Sequence, residues 1–238
     1  MAHVTGTGQL RIGAFVFDQM DQIDLTGPFE ALARLTDSSF SLYGLTDQPV
    51  TDMSNLVIQV DGSIDDAPQL DVLHVPGGPG QEALMDDERL MNWLRNQASG
   101  ARLVFSVCTG ALLLGAADLL VGKQATTHWA SLELLSYFGA TPVDKRVIVD
   151  GNYVFTAGVT AGIDGALTVI DQLRGPEEAQ LIQLILQYAP EPPFQSGHPS
   201  MAPANVLAKA QEFVRELTDI RRVTAEKYAE HTEIPFDR

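Results

Sequence analysis

Three stretches of this chain are apolar almost without a break: "LRIGAFVF" (10–17), "DVLHV" (71–75) and "RLVFSV" (102–107). A strand with one face in water alternates apolar and polar residues, so continuous runs this short predict strands covered on both faces. The second and third runs end in small residues, Gly77-Gly78 and Ser106 to Gly110. The third then passes directly into "ALLLGAADLL", an apolar helical pattern. Taken whole, 102–120 is the only candidate membrane span. Ser106, Thr109, Gly110, Gly115 and Asp118 interrupt it, and a strand, turn and helix fit it better.

The rest of the chain keeps the same alternation. Gly27-Pro28 predicts the opening of a helix over "PFEALARL", with proline in the first turn. "SFSLYGL" and "NLVIQV" read as strands, "ALMDDERLMNWLRNQA" as an amphipathic helix and "QATTH" as a short strand. "WASLELLSYFG" reads as a helix closed by Gly139. In "RVIVDGNYVFTAG", Asp150-Gly151 marks a hairpin turn. "GIDGALTVIDQL" and "PEEAQLIQLILQYA" are two more helices, and Pro190, Pro192 and Pro193 stop the pattern. The expected fold is α/β, a three-layer sandwich around a mainly parallel sheet. No linker divides the chain, so one domain over 1–238 is expected, with a core over about 10–200 and a charged helical extension over 202–238. Ligands in such sheets bind beyond the carboxyl ends of the strands.

Composition narrows the function. A formal net charge of −16 without a Lys/Arg cluster disfavours nucleic acid and anionic membrane and suits a small neutral ligand. One cysteine forms no internal disulfide. The opening "MAHVTGTGQLRIG" lacks a basic region followed by an apolar one, so a cytoplasmic protein is expected. Five histidines without metal-ligand spacing predict no metal site.

Cys108, the single cysteine, stands at the strand-to-helix junction with Ser106 two residues before it and Gly110 two residues after. Small neighbours suit a sharp elbow, the same logic as the Gly-x-Ser-x-Gly turn of hydrolases. Free N–H groups at a helix start favour a thiolate, the nucleophilic form. The competing reading is a small buried core thiol. Asp24 alone reads equally as a cap or a solvated strand end. Gly77 and Gly78 read either as a structural turn or as a close-approach loop; a phosphate loop is disfavoured by Asp86, Asp87 and Glu88 nearby. His128 reads as the cap of the following helix, His74 as a strand residue, Asp164 as a helix-start acid and Val159 as core.

"HVPGGPG", "SVCTGALLLGAADLL", "ATTHW" and "TAGVTAGIDGAL", in this order, resemble the ThiJ/PfpI superfamily from about Leu10 to about Pro199. The resemblance implies a flavodoxin-like, class I glutamine-amidotransferase-like fold with a cysteine elbow, and a homodimer. "DQIDLTGPFEAL" then aligns Asp24 with the family's acidic residue facing the cysteine, where many relatives carry glutamate. A peptidase-like branch has histidine directly after the cysteine; here it is Thr109, which disfavours amide hydrolysis. Asp24, Cys108-Thr109 and "LILQYAPEPPFQSGHP" are most similar to the branch that hydrates isocyanides to N-substituted formamides without a cofactor. That implies Cys108 as nucleophile, Asp24 as general acid and base, and Thr109 holding carboxyl and sulfur in register. Gly77 and Gly78 would offer amides to the reacting group, with Val159 and His128 lining the pocket. Alternatives within the superfamily are a cysteine redox sensor or stress-response factor, a glyoxalase-like or deglycase-like enzyme, and the sensing domain of a transcription regulator.

Overall fold

The computed structural model describes residues 9–232; residues 1–8, where the expectation of no leader falls, and 233–238 lie outside the described residues. Strands β1 (Leu10–Phe15), β2 (Ser38–Gly44), β5 (Gly62–Ser63), β6 (Val72–Val75), β7 (Leu103–Val107), β10 (Val147–Asp150) and β11 (Tyr153–Thr156) form one sheet in the order β10-β11-β7-β6-β1-β2-β5. Every pairing in it is parallel except the β10–β11 hairpin. Strands β3 (Val50–Thr51) and β4 (Val57–Ile58) make a small ribbon, and β8 (Gln124–Ala125) pairs with β9 (Thr141–Pro142). The continuous apolar runs are explained by layers on both faces. Leu103, Phe105 and Val107 of β7 point into one core, under α1 (Gln22–Leu32), α4 (Ala161–Arg174) and α5 (Pro176–Ile185). Val104 points into the other, beneath α2 (Glu88–Gly100), α3 (Gly110–Ala116), the 3₁₀ turns of Trp129–Phe138 and α6 (Ala204–Thr232). Among the described residues no helix is long and apolar enough to cross a membrane.

Several boundaries differ from the sequence reading. Only Val57–Ile58 of "NLVIQV" is paired, at the margin of the fold. The segment before Asp87 forms 3₁₀ turns over Pro79–Leu84, and α2 starts at Glu88 because the Asp87 carboxylate caps Leu90 N–H at 3.0 Å. "WASLELLSYF" winds as 3₁₀ turns, closed as expected by Gly139 in the left-handed region. The Asp150-Gly151 turn pivots one residue later, on Gly151 and Asn152, because Asp150 already pairs with Tyr153. The charged segment after residue 202 is helical as expected over Ala204–Thr232, and α6 packs along the 129–138 turns and buries Ala225 and Ala229.

The largest shift is at Pro28. The helix begins six residues upstream, capped by Asp21, and Pro28 lies inside it. An interior proline supplies no N–H to the carbonyl four residues back and crowds that carbonyl, typically at a cost of about 3 kcal/mol. The orphaned carbonyl is that of Asp24, and His74 Nε2 on β6 lies 3.0 Å from it. His74 is fully buried, stacked on Phe105, with Nδ1 3.4 Å from the Phe105 carbonyl. Burial pushes its pKa down to about 4, so the ring is neutral and its single proton serves the shorter contact. A helix defect is thereby converted into a tie between α1 and the sheet.

This lowered pKa fixes a sign. Between pH 6.5 and about 4 the unfolded chain takes up a His74 proton that the native state refuses, so stability falls with pH by about 1.4 kcal/mol per unit and roughly 3 kcal/mol in all. His74→Gln keeps an N–H donor and removes the titration. The stability advantage of the native chain over this variant, from urea midpoints, should shrink by that amount between pH 7 and pH 4; a pH-independent difference would contradict a neutral His74.

Candidate active site

The carboxyl ends of β1, β6, β7 and β11 are adjacent in the sheet, and each feeds one part of a single cluster. After β1 the chain enters α1, whose first turn carries Asp24. After β6 come Gly77 and Gly78, after β7 Cys108 and Thr109, and after β11 Gly158 and Val159. The parallel register, Val75 beside Ser106 and Val107 beside Thr156, brings these loops level.

Cys108 is the elbow. Its φ is +55°, a conformation costing about 1–3 kcal/mol in a non-glycine residue. It is pinned by its own N–H, shared between the carbonyls of Thr156 (3.1 Å) and Ala157 (3.0 Å), and by the Thr127 hydroxyl donating to its carbonyl at 2.6 Å. Glycine is required on both sides of the close approach: a Cβ on Gly110 would run into the Val75 carbonyl, and one on Gly77 into the Thr109 backbone. The thiol is nearly enclosed, Cys108 being 6% exposed.

Asp24 is completely buried, and its carboxyl hydrogen-bonds with the Cys108 thiol. Oδ2 accepts the Gly77 N–H at 3.1 Å, whereas Oδ1 has no nitrogen or oxygen partner. Burial foremost, then the nearby charge of Asp21, pushes the carboxyl well above the usual carboxylate range. Burial and the Asp24 charge push the thiol up in turn; backbone N–H groups of Val159 and Thr109 and the charge of Arg221 oppose this. The two groups therefore titrate as a pair that holds a proton tightly.

The glycine loop supports this pair instead of facing outward with free donors. Gly77 N–H goes to Asp24, and Gly78 N–H to the Thr109 hydroxyl at 3.1 Å. The Thr109 hydroxyl thus fixes the loop, and only its backbone N–H reaches the sulfur. The helix behind the elbow is short, Gly110–Ala116, so the anion-stabilising donors are these particular amides more than a long helix dipole.

Val159 contributes more than core packing. Its φ of +28° is unusual for a β-branched residue, and this conformation turns its N–H toward the sulfur. His128 caps the following turns, Nδ1 accepting Ala130 N–H at 3.4 Å, and burial first, then the Arg221 charge, lowers its pKa to about 4. His128 and Val159 share the wall of a cavity of about 540 Å³ with Trp129, Gly158 and Met201. Asp164 lies in the first turn of α4, paired with Arg146 at 2.7 Å. Among the described residues no three His, Cys, Asp or Glu side chains gather as metal ligands would.

Sequence reasoning missed Arg221. This α6 side chain is 6% exposed and donates from Nη2 to the Gly78 carbonyl at 2.8 Å and to the Thr109 hydroxyl at 3.4 Å. The signal was periodic: Leu207, Ala210, Val214, Leu217, Arg221, Ala225 and Tyr228 recur at helical spacing, which puts Arg221 on the inward stripe of an otherwise charged helix.

The comparisons with known proteins agree with this geometry. The DJ-1/PfpI family model matches residues 10–172. The chain is 47% identical over 220 residues to the isonitrile hydratase of Pseudomonas putida, covering 92% of this chain and 96% of that protein. It is 39% identical over 124 residues to protein DJ-1 homolog A of Arabidopsis thaliana, covering 51% of this chain and 32% of that protein. Among solved structures, a ThiJ/PfpI family protein from Pseudomonas syringae superposes with a TM-score of 0.89 at 35% identity, covering 93% of this chain and 91% of that one. Drosophila melanogaster DJ-1beta, at 23% identity and a TM-score of 0.68, shares the fold over 76% of this chain and 100% of its own. With its cysteine elbow, its facing acid and its parallel sheet, the chain belongs to the DJ-1/PfpI family.

Proposed function

We propose that the protein is an isocyanide hydratase, adding water to R–N≡C to give the formamide R–NH–CHO. The observation that carries the reading is the buried Asp24–Cys108 pair, with threonine and not histidine directly after the cysteine. The strong similarity to an isonitrile hydratase over nearly the whole chain supports the same substrate class. Two N–H groups favour charge on sulfur. The unpartnered Oδ1 of Asp24 is the natural seat for the pair's proton, since a buried oxygen with no donor is costly unless it carries a hydrogen itself.

The Cys108 thiolate attacks the terminal isocyanide carbon, and Asp24 gives that carbon its proton, leaving the thioimidate R–N=CH–S–Cys108. Ionised Asp24 then takes a proton from water as the hydroxyl adds to the same carbon, and passes it to the nitrogen. Asp24 next removes the remaining hydroxyl proton as the C=O forms and the thiolate leaves. Both groups return to their starting states, and the net reaction is addition of one water without change of oxidation state, so its balance needs no cofactor. Recognition of the uncharged R group falls to the cavity beside Val159, His128 and Trp129.

A compartment that keeps Cys108 reduced, the cytoplasm, suits the mechanism. A second copy of the chain is the proposed partner. Val206, Phe213 and Ile220 form an exposed apolar row at seven-residue spacing on α6, which supports a contact of that kind.

Cys108→Ala should abolish formamide production from an aryl isocyanide, followed by chromatography. Asp24→Asn should lower kcat by about a hundredfold or more, because it loses both proton-transfer roles while keeping the fold. Adduct mass on Cys108 should be trappable in the native chain. Full turnover in either variant would remove the mechanism. The pH profile of kcat/KM should be bell-shaped, its alkaline limb set by loss of the pair's shared proton and its acid limb by protonation of the sulfur.

A further inference from the structure

We propose that Arg221, carried by α6 beyond the segment the family model matches, is a positioning residue whose charge holds the Cys108–Asp24 pair in its singly protonated, nucleophilic state. The inference rests on the reading of Cys108 as a thiolate nucleophile, and it extends that reading to a residue without contact to the reacting atoms.

The geometry comes first. Arg221 is buried behind the elbow, and its hydrogen bonds run to two uncharged oxygens, the Gly78 carbonyl and the Thr109 hydroxyl. Its Nε is buried and unpartnered. A guanidinium placed out of water and bonded to neutral acceptors keeps an uncompensated positive charge, which is costly unless an anion lies nearby. The charged and titratable groups around it are few. Asp24 on α1 is pushed by burial toward its neutral form, with Asp21 at the cap of the same helix. Glu82, in the turns after β6, accepts from the Thr224 hydroxyl on α6 and is one of two negative charges that favour the guanidinium. His128 is neutral above about pH 4. The other negative charge is the Cys108 sulfur, which acts on Arg221 more strongly than Glu82 does and whose own charge Arg221 favours in turn.

Proton counting gives the consequence. Burial alone would leave both thiol and carboxyl protonated, a state without a nucleophile. A fixed neighbouring cation removes one of the two protons and leaves the other on the acid that must donate it. The same guanidinium holds the Gly78 carbonyl and Thr109 hydroxyl, and through them the loop whose Gly77 N–H seats Asp24.

Two variants separate charge from hydrogen bonding: Arg221→Lys keeps charge and a donor, and Arg221→Gln keeps a donor without charge. The readout is thiolate formation, followed by ultraviolet absorbance and by the rate of iodoacetamide alkylation against pH. It needs no isocyanide and stands whether or not the hydratase reading does. In Arg221→Gln the midpoint should rise by about one pH unit or more, and alkylation at pH 7 should slow about tenfold. Arg221→Lys should stay near the native midpoint, and the acid limb of kcat/KM should move in parallel. Thermal unfolding of both variants checks that the fold persists; were Arg221→Gln unfolded, Arg221→Lys against the native chain with Glu82→Gln, which leaves Arg221 less neutralised and should lower the midpoint, reads the same charge effect. Coincident midpoints in all the folded proteins, or a lysine variant that titrates like the glutamine one, would overturn the proposal.

Discussion

Burying an ionisable group costs several kcal/mol unless something compensates for the lost water, and this fold buries two against each other at the carboxyl-end edge of its sheet's inner strands. Much of the architecture around that edge is arranged to bear the expense. Four neighbouring parallel strands end level and deliver a carboxyl, a thiol and the backbone N–H groups that face them. The chain accepts a left-handed φ at Cys108 and an unusual positive φ at Val159 so that sulfur and amide meet. Sheet packing on both faces over-determines these conformations, which is why they persist.

Polarity in the cluster is graded by depth. The deepest layer, His74 with the Asp24 and Phe105 carbonyls, holds no charge and acts as a spacer between helix and sheet. Next come the pair and its amides, which share a proton. Behind the elbow lies one guanidinium. Toward the cavity the wall becomes mixed, with Trp129, Met201 and His128.

Sequence made the frame legible because the frame follows from periodicity. Unbroken apolar runs mean a doubly covered sheet, and Leu103, Val104 and Phe105 do point alternately into two cores. Ser106 and Gly110 around Cys108 announced the elbow, since only small residues fit where Val75 passes so close to Gly110. Local signals failed where a distant partner decided the outcome. Pro28 looks like a helix start, and nothing nearby shows that His74 can satisfy the carbonyl it orphans. The amides of Gly77 and Gly78 looked free because Asp24 and Thr109, which occupy them, come from other strands' loops. Arg221 was obscured by the charged composition of α6, and only the phase of the helix reveals it.

Pro28 has a further implication for anyone altering this protein. By every local criterion it is a flaw, and a procedure that scores helices one at a time would replace it with alanine. The new amide would compete for the very oxygen that His74 holds, and the imidazole would be left with the longer contact to the Phe105 carbonyl as its alternative. Positions 28 and 74 are in that sense a single choice written in two places: a more regular helix is tolerable only alongside a smaller or wholly apolar neighbour on the strand, and the acid's anchorage to the sheet is what such an exchange gives up.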